Sequence, residues 1–154
     1  MPDHPTLVAP PKCIGIAADH GGFSLKSYLA EMLRTTDGEV IDFGNTRLVP
    51  DDDHPDFVVP LARVVACADV GVGACIAANK VAGVRACLIY EGFWVRQGVE
   101  DDDMNLICLG GQVVSNALAW DLLRTFLDAR FSGAERHRRR VAKVASVESG
   151  GPQL

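Results

Sequence analysis

Short apolar runs alternate with amphipathic stretches along most of this chain, and the spacing of the apolar positions changes from one to the next. Cys13 to Ala18, Glu39 to Phe43, Ala86 to Tyr90 and Leu106 to Leu109 have the length and apolar content of strands buried in a parallel sheet. Phe23 to Arg34, Pro55 to about Val65, Phe93 to Val99 and Ser115 to Phe131 take helical spacing. In the last of these, Leu118, Leu122, Phe126 and Ala129 fall on one face. Strands and helices alternating in this order predict an α/β fold, a parallel sheet covered by helices on both faces.

Two polar, glycine-bearing stretches interrupt this pattern. Asp19-His20-Gly21-Gly22 follows the first strand, where an open parallel sheet places its ligands, beyond the carboxyl ends of the strands. The plain alternative is that Asp19 caps the next helix and His20 is solvated. Gly71-Val72-Gly73 precedes a run of small residues ending at Asn79-Lys80. Glycine there lets a ligand approach main-chain N–H groups, and a helix opening just after it adds partial positive charge. The same residues also serve as an ordinary turn. Asp51-Asp52-Asp53 reads as a solvated loop, because adjacent carboxylates point in different directions and do not converge on a cation.

Composition narrows the picture. With 154 residues the chain is expected to fold as one domain, residues 13–147, between a flexible proline-rich arm at 1–12 and a flexible tail at 148–154. No apolar run reaches membrane-spanning length and the start carries no signal-peptide pattern, so a cytoplasmic protein with no membrane contact is expected. The five cysteines lack metal-ligand spacing and read mostly as buried thiols, so no metal is expected. A net charge of −5 argues against nucleic acid, yet Arg136-His137-Arg138-Arg139-Arg140 is a basic cluster suited to a small anion.

Four blocks in order carry a resemblance to a known family. These are Ile14 to Lys26 (IGIAADHGGFSLK), Ile76 to Ala86 (IAANKVAGVRA), Asp103 to Gly110 (DMNLICLG) and Gly133 to Val141 (GAERHRRRV). The chain resembles the ribose-5-phosphate isomerase B family, which includes the galactose-6-phosphate isomerase subunits, from Cys13 to about Val144. The resemblance implies a Rossmann-like three-layer sandwich, no cofactor, and a homodimer or homotetramer whose sites are shared between subunits. It implies aldose–ketose isomerisation of a sugar phosphate, in which a base moves a proton between C1 and C2 through an enediolate held by glycine-loop N–H groups. Asp19 and His20 map to the family's sugar and phosphate contacts, Gly71 and Gly73 to its glycine loop, and Arg136 and Arg140 to the phosphate-binding arginines of a neighbouring subunit. A spacing of four puts both guanidinium groups on one helical face.

The departures from the family fall on the chemistry. Relatives carry a Cys-Gly-Thr/Ser-Gly-x-Gly loop whose cysteine is the base, and between Pro55 and Asn79 this chain is several residues too short to hold it. If Gly71-x-Gly73 is the second half of that loop, the base position falls on Ala68; if Val70 to Cys75 is the strand, it falls on Cys75. Cys75 is the candidate base, because a thiol just ahead of a helix at Ile76-Ala77-Ala78-Asn79 would have its thiolate favoured, whereas Cys67 lies in an apolar run. The alternative is that Cys75 is a small buried residue. Asp101 and Asp102 stand where relatives place a histidine that assists ring opening and an asparagine that binds the enediolate oxygen. Asp101 can pass a proton, while an ionised Asp102 repels a developing oxyanion. Gln112 replaces a frequent arginine. A rival to the isomerase is therefore a non-catalytic sugar-phosphate-binding member, or the partner subunit of an active paralogue. Trp120, beside the apolar stripe of its helix, is the expected interface aromatic.

Overall fold

The computed structural model describes residues 13–36, 38–64 and 71–151. The arm, Cys67 and Ala68 lie outside the described residues. In chain order the elements are β1 (Cys13–Ile16), α1 (Phe23–Arg34), β2 (Glu39–Asp42), α2 (Pro55–Val64), α3 (Val72–Ala78), β3 (Ala86–Leu88), α4 (Gly92–Asp102), β4 (Leu106–Cys108), α5 (Asn116–Asp128) and α6 (Glu135–Glu148). Among the described residues the strands pair as two parallel couples. β1 runs beside β2 with Ile14 opposite Val40, and β3 beside β4 with Cys87 opposite Ile107.

Strand alternation divides the interior in two. Ile14, Ile16, Ile107 and Leu109 point into a core completed by leucines of α1 and α5 and by Val95 and Val99 of α4. Ala17, Leu106 and Cys108 point the other way, against Val58, Leu61 and Ala62 of α2 and Ala74 and Ala78 of α3. β1 and β4 are thus buried on both faces, as the central strands of a sheet covered on both sides must be, and the result is a Rossmann-like three-layer sandwich.

Helix ends follow local chemistry where a cap is present. Ser115 starts α5 by accepting the Leu118 N–H at 3.2 Å, and Glu91 starts α4 by accepting from Phe93 and Trp94. Several boundaries differ from expectation, α4 running on to Asp102 and α5 stopping at Asp128 among them. α3 begins at Val72, not Ile76, because Gly71 serves as its N-cap. α6 includes Glu148, whose carboxylate accepts the Gly83 N–H through both oxygens at 3.0 and 2.9 Å, so the helix reaches into the presumed tail.

Lys26 of α1 is a buried cation. Its Nζ pairs with Asp42 at 2.6 Å and donates to Asn45 O at 2.9 Å, tying α1 to the end of β2 and the loop beyond. Lys26→Ala is expected to destabilise the fold by about 2–3 kcal/mol, the range for charged hydrogen bonds. Asp42 remains a quarter exposed, which keeps the cost below that of a fully buried pair. Urea denaturation of the variant beside the parent measures it.

Candidate active site

The carboxyl edge of β1 delivers Asp19 and His20 as expected; Asp19 does not cap α1, and His20 is exposed yet tethered. Asp19 Oδ1 accepts the N–H groups of Gly21 at 2.9 Å and Gly22 at 3.3 Å, which shapes the turn. The N-cap of α1 is Gly22, without a side-chain cap. His20 is held by Asp52, whose Oδ1 accepts the His20 backbone N–H at 2.8 Å and the ring Nδ1–H at 3.0 Å, while Oδ2 takes the Asn45 amide at 2.9 Å. A carboxylate only accepts, so Nδ1 bears the proton and Nε2 faces outward.

Burial separates the two partners, with the Asp52 side chain 8% exposed and His20 47%. Asp52 is therefore not one of three equivalent solvated carboxylates; its two neighbours in sequence gave no sign of this. The hydrogen bond to Asp52 raises the His20 pKa above the ordinary imidazole value, opposed by desolvation and helped by the charge of Asp19. For Asp52, burial pushes the carboxyl up, but the His20 N–H, its ring and the Asn45 amide outweigh it and hold the group below the usual range. The contribution of His20 to stability is full below about pH 6.5 and is lost as pH rises through its raised pKa; that of Asp52 is lost as pH falls through its lowered one. NMR titration is expected to give His20 a midpoint above about 6.5, returning toward that value in Asp52→Asn.

Two glycine-mediated contacts close this edge. Gln112 Nε2 donates to Gly21 O at 2.8 Å, and a Cβ on Gly111 would lie 2.8 Å from Gly22 Cα, so the loop after β4 packs directly on the His20 turn. At Gly73 a Cβ would lie 2.7 Å from Cε1 and 2.8 Å from Nε2 of His54. Gly71 and Gly73 do not use positive φ, the freedom for which glycine is often kept. Gly73 is needed because the imidazole of His54 occupies the space of its side chain. His54 immediately precedes α2.

Cys75 stands elsewhere. It lies inside α3, where its N–H bonds to Gly71 O at 3.3 Å, and not ahead of the helix. Its Sγ donates to Ala86 O at 3.5 Å, and the Asn79 amide, bonded to both N and O of Ala86 at 2.9 Å, lies 3.6 Å from the sulfur. Ala86 is the first residue of β3, so the thiol turns toward the amino end of the strand, away from the edge that holds His20. The reading with Val70 to Cys75 as a strand is corrected by the helix at Val72–Ala78.

Asp101 and Asp102 also lie at the opposite end of the sheet. α4 leaves the carboxyl end of β3 and runs 11 residues, about 16 Å, to the amino end of β4. Its final turn is fixed by Asp103, left-handed at φ 53°, which Arg85 holds through Nη2 at 2.8 Å and Nε at 2.7 Å. There Asp101 meets the basic helix: its Oδ1 is 3.3 Å from Nδ1 of His137, a side chain only 4% exposed. His137 Nε2 accepts the Nε–H of Arg136 at 2.8 Å, so Nδ1 carries the ring proton and faces Ser132 Oγ at 2.8 Å as well as Asp101. With Nε spent on His137, the terminal nitrogens of Arg136 remain for a ligand, and Arg140 follows one turn along α6.

The candidate residues therefore form two clusters in one protomer. Asp19, His20, Gly71 and Gly73 belong to the carboxyl edge; Asp101, Asp102, Arg136 and Arg140 belong to the other end. Asp102 also lines a groove of about 910 Å³ beside β3, with Tyr90, Trp94, Met104, Val144 and Val147. Trp120 is not the exposed aromatic that was expected, since it packs against the core, whereas Phe93 and Trp94 of α4 are exposed. Among the described residues no cluster of histidine, cysteine and carboxylate is placed to hold a metal, and no helix is long and apolar enough to cross a membrane.

Comparison with known proteins places this geometry in a lineage. The Ribose/Galactose Isomerase family matches residues 14–144. A probable ribose-5-phosphate isomerase B of Mycoplasma pneumoniae is 35% identical over 144 residues, covering 88% of this chain and 94% of that protein. The structure of Clostridium thermocellum ribose-5-phosphate isomerase B superposes with a TM-score of 0.84 at 37% identity, over 90% of this chain and 99% of the other. The Mycoplasma genitalium ribose-5-phosphate isomerase B with bound ribulose-5-phosphate gives 0.81 at 32% identity, over 89% and 96%.

Proposed function

This chain belongs to the ribose/galactose isomerase family, and on that premise we propose that it interconverts the aldose and ketose forms of a phosphorylated sugar. Ribose 5-phosphate and ribulose 5-phosphate are the first pair to test, with tetrose and hexose phosphates as neighbours. The reaction runs in sites shared between two copies of the chain, a homodimer or homotetramer acting on a soluble metabolite in the cytoplasm, without nucleic acid, membrane or cofactor.

The observation that carries this reading is the division of the candidate residues between the two ends of the sheet. One end offers an imidazole oriented by Asp52 and the close backbone of Gly71 and Gly73. The other offers the cations of Arg136 and Arg140, which suit a phosphate dianion. A sugar phosphate needs both ends, and a second copy brings them together. Exposed Val72 and Ile76 on α3, Phe93 and Trp94 on α4, and Val144 and Val147 on α6 supply the apolar surface such a pairing covers.

In this arrangement the arginines anchor the phosphate and leave C1 and C2 at the glycine turn. His20, its charged form favoured by Asp52, donates a hydrogen bond or a proton from Nε2 as the ring opens. The energy of holding the phosphate keeps the open sugar in register for proton transfer. Asp101 is engaged with His137, which gives it the work of ordering the arginine helix, and Asp102 stands at the same end.

The non-catalytic alternative draws support from Ala68, which takes the family's base position if Gly71-x-Gly73 is the second half of the glycine loop and has no group to move a proton. Purified protein assayed against a panel of aldose phosphates, read for ketose formation, separates the two. Ketose from one of them sustains the isomerase; tight binding of the panel without turnover favours the binding protein.

A further inference from the structure

We propose that His54 is the base that carries the proton between C1 and C2, in place of the cysteine that relatives use. This rests on the isomerase reading and specifies its central step.

Three observations lead to it. The first is position. His54 ends the loop after β2 and starts α2, its carbonyl accepting the Phe57 N–H at 3.2 Å and the Val58 N–H at 3.0 Å. That backbone is anchored at the carboxyl edge, two residues from the Asp52 that holds His20. The second is contact. The Cε1–Nε2 edge of the ring lies on Gly73, so closely that a Cβ there would have to displace it. A base for C1 and C2 must stand beside the same backbone that receives the enediolate oxygen, and among the described residues His54 is the ring that does so.

The third is the fate of the other proton carriers. Cys75 turns its thiol to Ala86 at the amino end of β3. Asp101 is engaged by the buried ring of His137. His20 has Nδ1 committed to Asp52, an arrangement that favours its proton-bearing form and suits an acid. Two imidazoles thus stand at one edge, one tethered to a carboxylate and one packed on glycine.

The step balances without a co-reactant. The neutral imidazole of His54 takes the proton from C2 of the open aldose; the C2–H electron pair forms the C1–C2 double bond and the carbonyl electrons move to O1 as the enediolate. The imidazolium, whose N–H exchanges with solvent water during the step, delivers a proton to C1. The O2 hydroxyl proton passes to O1 through solvent water as the C2 carbonyl forms, and the enzyme ends as it began.

The test uses the intact protein and the aldose phosphate that the parent converts. His54→Gln is expected to lower kcat at least 100-fold, within the range for loss of a general base, with KM nearly unchanged. Incorporation of solvent deuterium at the transferred position should fall in parallel, and imidazole added to His54→Ala should restore part of the rate. Gly73→Ala, whose methyl displaces the ring, should lower kcat in the same sense. Thermal melts identify any variant that has lost its fold, and the imidazole rescue of a folded His54→Ala then carries the decision. Parental kcat in His54→Gln, or loss of exchange in Cys75→Ser or Cys67→Ser with His54→Gln intact, overturns the assignment. A parent that makes no ketose from any aldose phosphate overturns the isomerase reading instead, and this step with it.

Discussion

Two inactive variants are expected to regain activity when their subunits are mixed. In Asp19→Ala/His20→Ala the carboxyl edge is disabled, and in Arg136→Ala/Arg140→Ala the basic helix. Because α4 carries the chain from one end of the sheet to the other, each protomer keeps these groups apart, and in the proposed arrangement each site takes one half from each copy. In a two-fold dimer the mixed species has one site bearing both defects and one bearing neither, so random exchange restores roughly a quarter of the sites. Co-expression or refolding of the two variants together, followed by ketose assay, measures the recovery. Activity that stays at the level of the separate variants, although mass analysis shows that subunits have exchanged, would place the whole site in one protomer.

Removing either arginine alone should cost about 1.5–3 kcal/mol of phosphate-sugar affinity, the range for charge-assisted hydrogen bonds. That is about a 10- to 150-fold rise in KM. Arg136 carries a second expectation because of what lies behind it. Its Nε–H is spent on the buried ring of His137, and that ring reaches on to Asp101 and Ser132. The guanidinium is therefore held with its terminal nitrogens outward before any ligand arrives, and pre-ordering of this kind lowers the entropy lost on binding. His137→Ala should raise KM less than Arg136→Ala does, because the charge remains while its orientation is lost. It also removes a buried ring and its hydrogen bonds to Arg136 and Ser132, so a loss of stability of about 0.5–1.5 kcal/mol per bond is expected. Competition by inorganic phosphate should weaken in step with KM in all three variants. A His137→Ala protein that is destabilised but binds phosphate as the parent does would limit His137 to a structural role.

Much of the scaffold was legible from residue order. The span of α1 was read correctly at both ends, and each strand was placed within two residues, because burial on both faces produces apolar runs and amphipathic helices that local spacing reveals. The positions of Asp19 and His20 just past β1 and the four-residue spacing of Arg136 and Arg140 followed for the same reason. Two glycines and a small-residue run were enough to place a turn before a helix, but not the helix start, which Gly71 rather than Cys75 determines.

The chemistry of the site depended on contacts between distant parts of the chain. Asp52 reaches His20 across 32 residues, and three consecutive aspartates give no local sign of which one a fold will bury. Asp101 and His137 pair because α4 and α6 meet at their ends, and His54 touches Gly73 because α2 and α3 pack side by side. Trp120 and Trp94 both lie on amphipathic helices; only the packing of α5 over the sheet decides that the first is covered and the second exposed. Propensity and period act over a few residues and so determine the elements and their order. Whether a carboxylate meets water or an imidazole, and toward which strand end a thiol turns, depends on side chains brought together only when the layers close.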